Sequence, residues 1–298
     1  MKDIAASVLA RLKNIANDKN IRFQQILVLF CQEELARKIC QSKYNNKFIL
    51  KGGFLIFNLS RFNFRPTIDS DYLLNNHSLN KNIFSKIITE IINIDTGNNF
   101  IDFEIKNFKE ITGQMKYKGL RVNIIGKIKN TRSHLNLDFA TGDKIVPGPE
   151  KRQLKTILPD FEKPIIYTYS LESLIAEKLD AIISRMETTS RMKDFYDIYF
   201  LAQNFDFEGR KLQAAIYETL TNRGTPYEKD SVKVLRRLTT NDLILNRWNN
   251  FCAKVIKQNI IFKDVINLIT TFLSPPFAAI INEKELFAKW KSNIKTYI

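Results

Sequence analysis

FILKGGFLIFNLSRFNFRPTIDSDYLL, residues 48–74, is the stretch whose reading decides the fold. Phe48, Ile49 and Leu50 predict a strand, and Lys51-Gly52-Gly53 ends it at a sharp turn whose exposed backbone N–H groups can hold phosphate. The apolar run Phe54 to Leu59 predicts a short helix with its positive N-terminal end facing the same place. After Arg65-Pro66-Thr67, the run Ile68-Asp69-Ser70-Asp71-Tyr72-Leu73-Leu74 predicts a second strand with carboxylates at alternate positions. Residues i and i+2 of a strand share a face, so Asp69 and Asp71 stand side by side, roughly 6 to 7 Å apart at Cα. Like charges that close repel unless a cation joins them, and two-metal phosphoryl-transfer sites use such a pair. A surface hairpin at Gly52-Gly53 and a solvated strand end at the Asp pair are the plainer readings of each feature taken alone.

Taken together, the glycine turn, the helix and the D-x-D strand resemble the nucleotidyltransferase superfamily that includes DNA polymerase β. One departure is visible. Ser70 lies between the acids, where that superfamily usually places an apolar residue facing the core.

The chain has 298 residues, 44% of them hydrophobic, enough for a buried core and for one or two domains. A net charge of +15 and a pI near 9.6 attract polyanions, which makes nucleic acid the expected partner. Abundant Asn, Lys and Ile, as a low-GC genome produces, are the competing explanation for that charge. The N-terminal stretch MKDIAASVLARLKNIANDKN has apolar residues interrupted by charges, unlike a signal peptide. No segment reads as apolar enough to span a bilayer, so a membrane is not an expected partner. Cys31, Cys40 and Cys252 match neither a disulfide framework nor a zinc spacing, and a cytoplasmic location is expected.

Residues 1–46 predict two helices, the second over 22–41 with Ile26, Leu27, Phe30, Leu35 and Ile39 as an apolar stripe laid on the first strand. Ile83, Phe84, Ile87, Ile88, Ile91 and Ile92 predict a packing helix over 80–93, with His77 in a polar turn before it. IDFEIKNF, LRVNIIGKI and HLNLDFATGD then predict three strands, with His134 a structural residue of the last. Asp138 interrupts the apolar pattern of that strand between Leu137 and Phe139, and a buried carboxylate there requires a metal or a cationic neighbour. Residues 142–164 carry four of the eight prolines and mark the expected boundary between domains 1–160 and 161–298.

Beyond it, Ser170 caps a helix, with Ser173 in place of the capping-box acid. On that helix Lys178, Ala181, Ile182 and Arg185 fall on one side at i, i+3, i+4 and i+7, where a phosphate can approach. A second helix carries Lys193, Asp194 and Asp197; paired salt-bridged helices explain these charges equally well. The remaining third, including VKVLRRL and ELFAKWKSNI, reads as mainly helical. Lys229, Lys233, Arg236 and Arg237 form either an RNA-facing patch or a solvated helix face. With the resemblance to the polymerase β superfamily, this order of segments implies an α+β fold class: an N-terminal nucleotidyltransferase domain with a mixed sheet flanked by helices, and a helical C-terminal domain.

KGG through RPTIDSD, then LDFATGD, EKLDAIISR and RMKDFYDIYFL, over about residues 45–205, resemble in order the motifs of the AbiEii family of nucleotidyltransferase toxins, which includes the MenT-like enzymes. The resemblance implies a toxin that uses an NTP and Mg²⁺, with Mn²⁺ as the alternative, to nucleotidylate a target. In related members the target is the 3′ end of tRNA, and its modification stops growth. It also implies a separately encoded winged-helix antitoxin of the AbiEi type, in a type IV abortive-infection arrangement against phage. By the motifs, Asp69, Asp71 and Asp138 hold the metal, and Asp138 also acts on the attacking hydroxyl. Gly52 and Gly53 make room for the triphosphate, with Lys51, Arg65 and Thr67 beside them. Lys178 neutralises triphosphate charge, Asp194 positions Lys178 or a substrate hydroxyl, and Arg185 and Lys193 are further phosphate contacts. The alternatives are a small-molecule nucleotidyltransferase, an NTP-dependent kinase, and a non-catalytic nucleic-acid or partner-binding protein with a vestigial nucleotide fold.

Overall fold

The computed structural model describes residues 3–75, 81–112 and 118–298. His77 lies outside the described residues. The chain divides into two compact units, residues 1–142 with 150–168, and residues 143–149 with 169–298.

In the first unit, helices α1 (Ile4–Asp18) and α2 (Phe23–Gln41) precede β1 (Phe48–Lys51), α3 (Gly52–Ser60) and β2 (Asp69–Leu74). Helix α4 (Lys81–Ile92) follows, then β3 (Asp102–Thr112), β4 (Lys118–Ile128), β5 (Thr131–Ala140), β6 (Glu150–Gln153) and β7 (Ile165–Thr168). Among the described residues these strands form one mixed sheet in the order β3-β4-β5-β2-β1-β7-β6. Strand β2 runs antiparallel to β1 and parallel to β5, so Asp71 lies beside both Lys51 and Asp138. The period of two explains the rest of the layer. Tyr72 and Phe139, each one residue past a carboxylate, turn to the opposite face and stack at 5.6 Å, where Phe48 and Phe84 of α4 close an aromatic cluster around them.

Helix α2 covers that apolar face chiefly over β5 and β7. The stripe Ile26, Leu27, Phe30, Leu35 and Ile39 is buried as expected. So are Glu33, Glu34 and Arg37, because they pair internally: Arg37 donates to Glu34 at 2.6 Å, Glu33 accepts from the Ile157 N–H, and Asn98 donates to Glu34. Strands β6 and β7 were not expected. Strand β6 lies in the proline-rich stretch 142–164 and β7 directly follows it; β7 pairs with β1 in the sheet, and residues 150–168 belong to the first unit while 143–149 belong to the second.

The second unit contains α5 (Leu171–Ile183), α6 (Met192–Asn204), α7 (Gly209–Arg223), α8 (Asp242–Phe251) and α9 (Phe262–Ile281). Ser170 caps α5 by accepting from the Ser173 N–H at 3.2 Å. VKVLRRL is in a 3₁₀ helix, Lys233–Thr240, rather than an α-helix. ELFAKWKSNI is not helical: strands β8 (Phe207–Glu208), β9 (Lys289–Lys291) and β10 (Thr296–Tyr297) form a small sheet. Trp290 anchors it, fully buried, with its indole N–H donated to the Ala202 carbonyl at 2.7 Å. One further expectation is corrected. Helix α9 is long and apolar enough to cross a membrane by length and composition. Val265, Ile266, Ile269, Phe272 and Leu273 are nevertheless buried, and the helix packs on α6, α7 and the 3₁₀ helix.

Candidate functional site

The first unit gathers Lys51, Gly52, Gly53, Arg65, Thr67, Asp69, Asp71 and Asp138 around the end of β1. Gly52 has φ +70°, and a Cβ there would lie 2.0 Å from Asp71 Oδ2, so only glycine lets the turn approach this carboxylate. A Cβ on Gly53 would lie 3.0 Å from Thr67 Oγ1 and 3.3 Å from Arg65 Nη2. Thr67 is itself buried and donates to the Asp69 carbonyl at 3.2 Å. Helix α3 starts at Gly52 with no acidic residue in its own first turn, and the Asp71 carboxylate lies against its positive end.

Asp69 and Asp71 share one face of β2, and Asp138 stands in register with Asp71 on β5. Ser70 faces the other way, 1% exposed, and its hydroxyl has no partner among the described residues. The unusual residue thus affects the packing behind the strand and leaves the carboxylate face intact.

Asp138 has the cationic neighbour its strand position demanded, in a residue that the sequence reading missed. Arg121 on β4 donates Nε to Asp138 Oδ1 and Nη2 to Oδ2, each at 2.6 Å. Hydrogen bonding to Asp138 raises the Arg121 guanidinium above its ordinary value despite partial burial, and the charges of Asp138, Asp69 and Asp71 all add to the rise. Arg121 is therefore a cation on which the charges of all three carboxylates act. Asn136 on β5 donates to Asp69 Oδ1 at 3.0 Å and accepts from Asn123 Nδ2 on β4 at 2.7 Å. Among the described residues no three His, Cys, Asp or Glu side chains are gathered closely enough to hold a metal by themselves. The donor chemistry still suits a hard divalent ion: paired carboxylate oxygens, a turn that a Cβ would fill, and a guanidinium already drawn to the same charges.

The second unit holds the other predicted residues. Lys178, 9% exposed, donates to Asp194 Oδ1 at 3.2 Å and to Asp197 Oδ2 at 2.5 Å. Burial pushes the Asp194 carboxyl up, but the positive charges of Lys178 and Arg191 outweigh it and hold the group below its ordinary value. Arg191 also donates to Asp194, a role the sequence reading gave to no residue. Arg185 is not on the helix with Lys178: α5 ends at Ile183, and Arg185 sits in the following turn with its side chain donated to the Ala181 carbonyl at 3.3 Å. Lys193 is exposed in the first turn of α6. Arg223 ties this unit together, pairing with Asp143, Glu177 and the fully buried Asp180.

No curated protein matches the chain. Among solved structures, MenT4, a nucleotidyltransferase toxin from Mycobacterium tuberculosis H37Rv, is similar with a TM-score of 0.58 at 13% identity, over 91% of this chain and 89% of that one. JHP933 from Helicobacter pylori aligns with a TM-score of 0.45 at 12% identity, over 85% and 93%. The MenT4 likeness shows the mixed α+β nucleotidyltransferase fold. The family model for the nucleotidyl transferase AbiEii toxin of type IV toxin–antitoxin systems matches residues 34–280. The chain belongs to the AbiEii family of nucleotidyltransferase toxins, a family that implies a separate antitoxin partner.

Proposed function

We propose that this protein is a Mg²⁺-dependent toxin that transfers a nucleoside monophosphate from an NTP to the 3′ end of tRNA, blocking translation and growth as a defence against phage. The observation that carries the reading is the register of Asp71 with Asp138 on adjacent parallel strands, beside a glycine turn that fits only because it lacks a Cβ. Asp69 and Asp71 would hold the ion, which when bound polarises the α-phosphate and neutralises the leaving group. Gly52, Gly53 and the start of α3 bind the β- and γ-phosphates through backbone N–H groups. Asp138 takes the proton of the attacking hydroxyl. A bond forms from that oxygen to the α-phosphorus, the bond to the β-phosphate oxygen breaks, and its electron pair leaves with pyrophosphate. The family motif K-x-x-A-I-x-x-R assigns the triphosphate charge to Lys178, with Asp194 as its positioning partner and Arg185 and Lys193 as further phosphate contacts. The antitoxin is of the winged-helix AbiEi type, and the toxin acts in the cytoplasm.

The test is incubation of the purified protein with total tRNA, Mg²⁺ and each α-labelled NTP in turn, alongside Asp69→Ala. Label on tRNA that needs both Mg²⁺ and Asp69 supports the reading and identifies the nucleotide. Label on another molecule instead would move the acceptor to a protein or a small molecule, and NTP binding without transfer to any acceptor would refute it.

A further inference from the structure

The carboxylate face continues across the sheet as two polar rows. In one, Lys109 on β3 lies opposite Arg121, which lies opposite Asp138, which lies beside Asp71. In the other, Asn107, Asn123, Asn136 and Asp69 follow in the same order. The intervening residues Val122, Leu135, Leu137 and Phe139 are buried on the opposite face, while Asn107 and Lys109 are exposed.

The second row has a direction. Asn136 presents its N–H group to Asp69 Oδ1, and the Asn136 carbonyl accepts from the Asn123 N–H group. The row ends at Asn123 Oδ1, which is buried and without a hydrogen-bond partner among the described residues. A buried acceptor at the end of a chain of amides calls for a ligand that donates.

The sheet order says what that ligand is, on the reading given under Proposed function. Pyrophosphate leaves on the β1 side, at Gly52-Gly53, and an in-line displacement brings the attacking hydroxyl from the opposite side. That side is β5, β4 and β3, in sheet order. We propose that the open face of β4 and β3 is the acceptor subsite and that it takes the terminal ribose of an RNA strand. One of the two vicinal hydroxyls faces Asp138 and attacks, while its neighbour donates to Asn123 Oδ1. Lys109 and Arg121 face the adjoining phosphate, which matches the chain's excess of positive charge. Asn123 thereby distinguishes an RNA end from a DNA end, since only ribose carries the second hydroxyl.

The test uses the full-length protein and two fluorescent hexanucleotide RNAs, identical except that one ends in 2′-deoxyribose, with binding read by anisotropy and no turnover required. The wild type is expected to favour the ribose end by roughly tenfold, the worth of one hydrogen bond to a buried acceptor. Asn123→Ala should bind both RNAs alike, and Lys109→Glu should weaken both by a similar factor while keeping the preference. Asn123→Ser serves if the alanine variant is unstable. Equal binding of the two ends by the wild type, or a preference that survives in the Asn123 variants, would overturn the proposal. NTP binding, measured separately, reports on the nucleotide site: its loss with the ribose preference intact refutes the transfer reading and leaves the subsite standing.

Discussion

Arg121 and Asp138 pair through both arms of the guanidinium and both carboxylate oxygens, at 2.6 Å each, across neighbouring strands β4 and β5. The cation lies among three carboxylates whose mutual repulsion it offsets. Arg121→Gln removes it, so divalent ions should stabilise the variant more than the wild type. Thermal unfolding with and without Mn²⁺ checks this: the ion-induced rise in Tm should be larger in the variant, and an equal or smaller rise contradicts it.

Asp69→Ala should abolish transfer, by at least about a hundredfold, without unfolding the protein, because it removes repulsion along with a proposed metal ligand. Circular dichroism melts beside the labelling assay separate the two effects. A folded variant that retains activity would rule out the metal role.

Gly52 and Gly97 both have positive φ, +70° and +79°, but a Cβ on Gly97 meets nothing within 4 Å while one on Gly52 strikes Asp71. Gly97→Ala should therefore cost only the backbone strain, about 1 kcal/mol. Gly52→Ala should cost more and should also weaken NTP binding. Urea unfolding of both variants, with nucleotide titrations, makes the comparison.

Much of this site was legible in the sequence because its logic is local. A period of two aligns Asp69 with Asp71 and turns Ser70 and Tyr72 away, and a lone carboxylate between Leu137 and Phe139 announces a partner. The partner itself was not legible, since it comes from another strand. A signal existed: β4 and β5 are joined by the two-residue turn Lys129-Asn130, and Ile128 opposite Thr131 fixes Arg121 opposite Asp138 and Asn123 opposite Asn136. Strands β6 and β7 escaped because four-residue strands, each just after a proline, carry too little periodicity. ELFAKWKSNI was misread as helix because Phe287 and Trp290 fit helical spacing, while the burial of Trp290 in a strand is set by tertiary packing.

Glu33 gives a pH dependence. Burial pushes its carboxyl up to about 7, against the Ile157 N–H and the charges of Arg61 and Arg37. Between the ordinary value and 7 the folded state holds a proton that the unfolded chain has lost, so this group's contribution to stability falls as pH rises through that window. The stability of the wild type relative to Glu33→Gln should therefore decline from pH 5 to pH 7. A flat or rising difference in urea unfolding would contradict the assignment.

Lys178→Ala would leave Asp194 and Asp197, side chains 1% and 0% exposed, without their shared cation. Loss of one partner from a buried ion pair costs about 3 to 5 kcal/mol, so the variant should be destabilised whatever happens to activity. Unfolding measured before kinetics keeps the two apart.

The most direct measurement of the central claim is paired labelling, with the same NTP carrying label at the α-phosphate in one reaction and at the γ-phosphate in the other. Nucleotidyl transfer predicts that α-label becomes covalently attached to the acceptor, that γ-label appears only in pyrophosphate, and that both changes vanish in Asp69→Ala. Attachment of the γ-label to the acceptor would make the enzyme a kinase, and α-labelling that persists without Asp69 would contradict the carboxylate site described above.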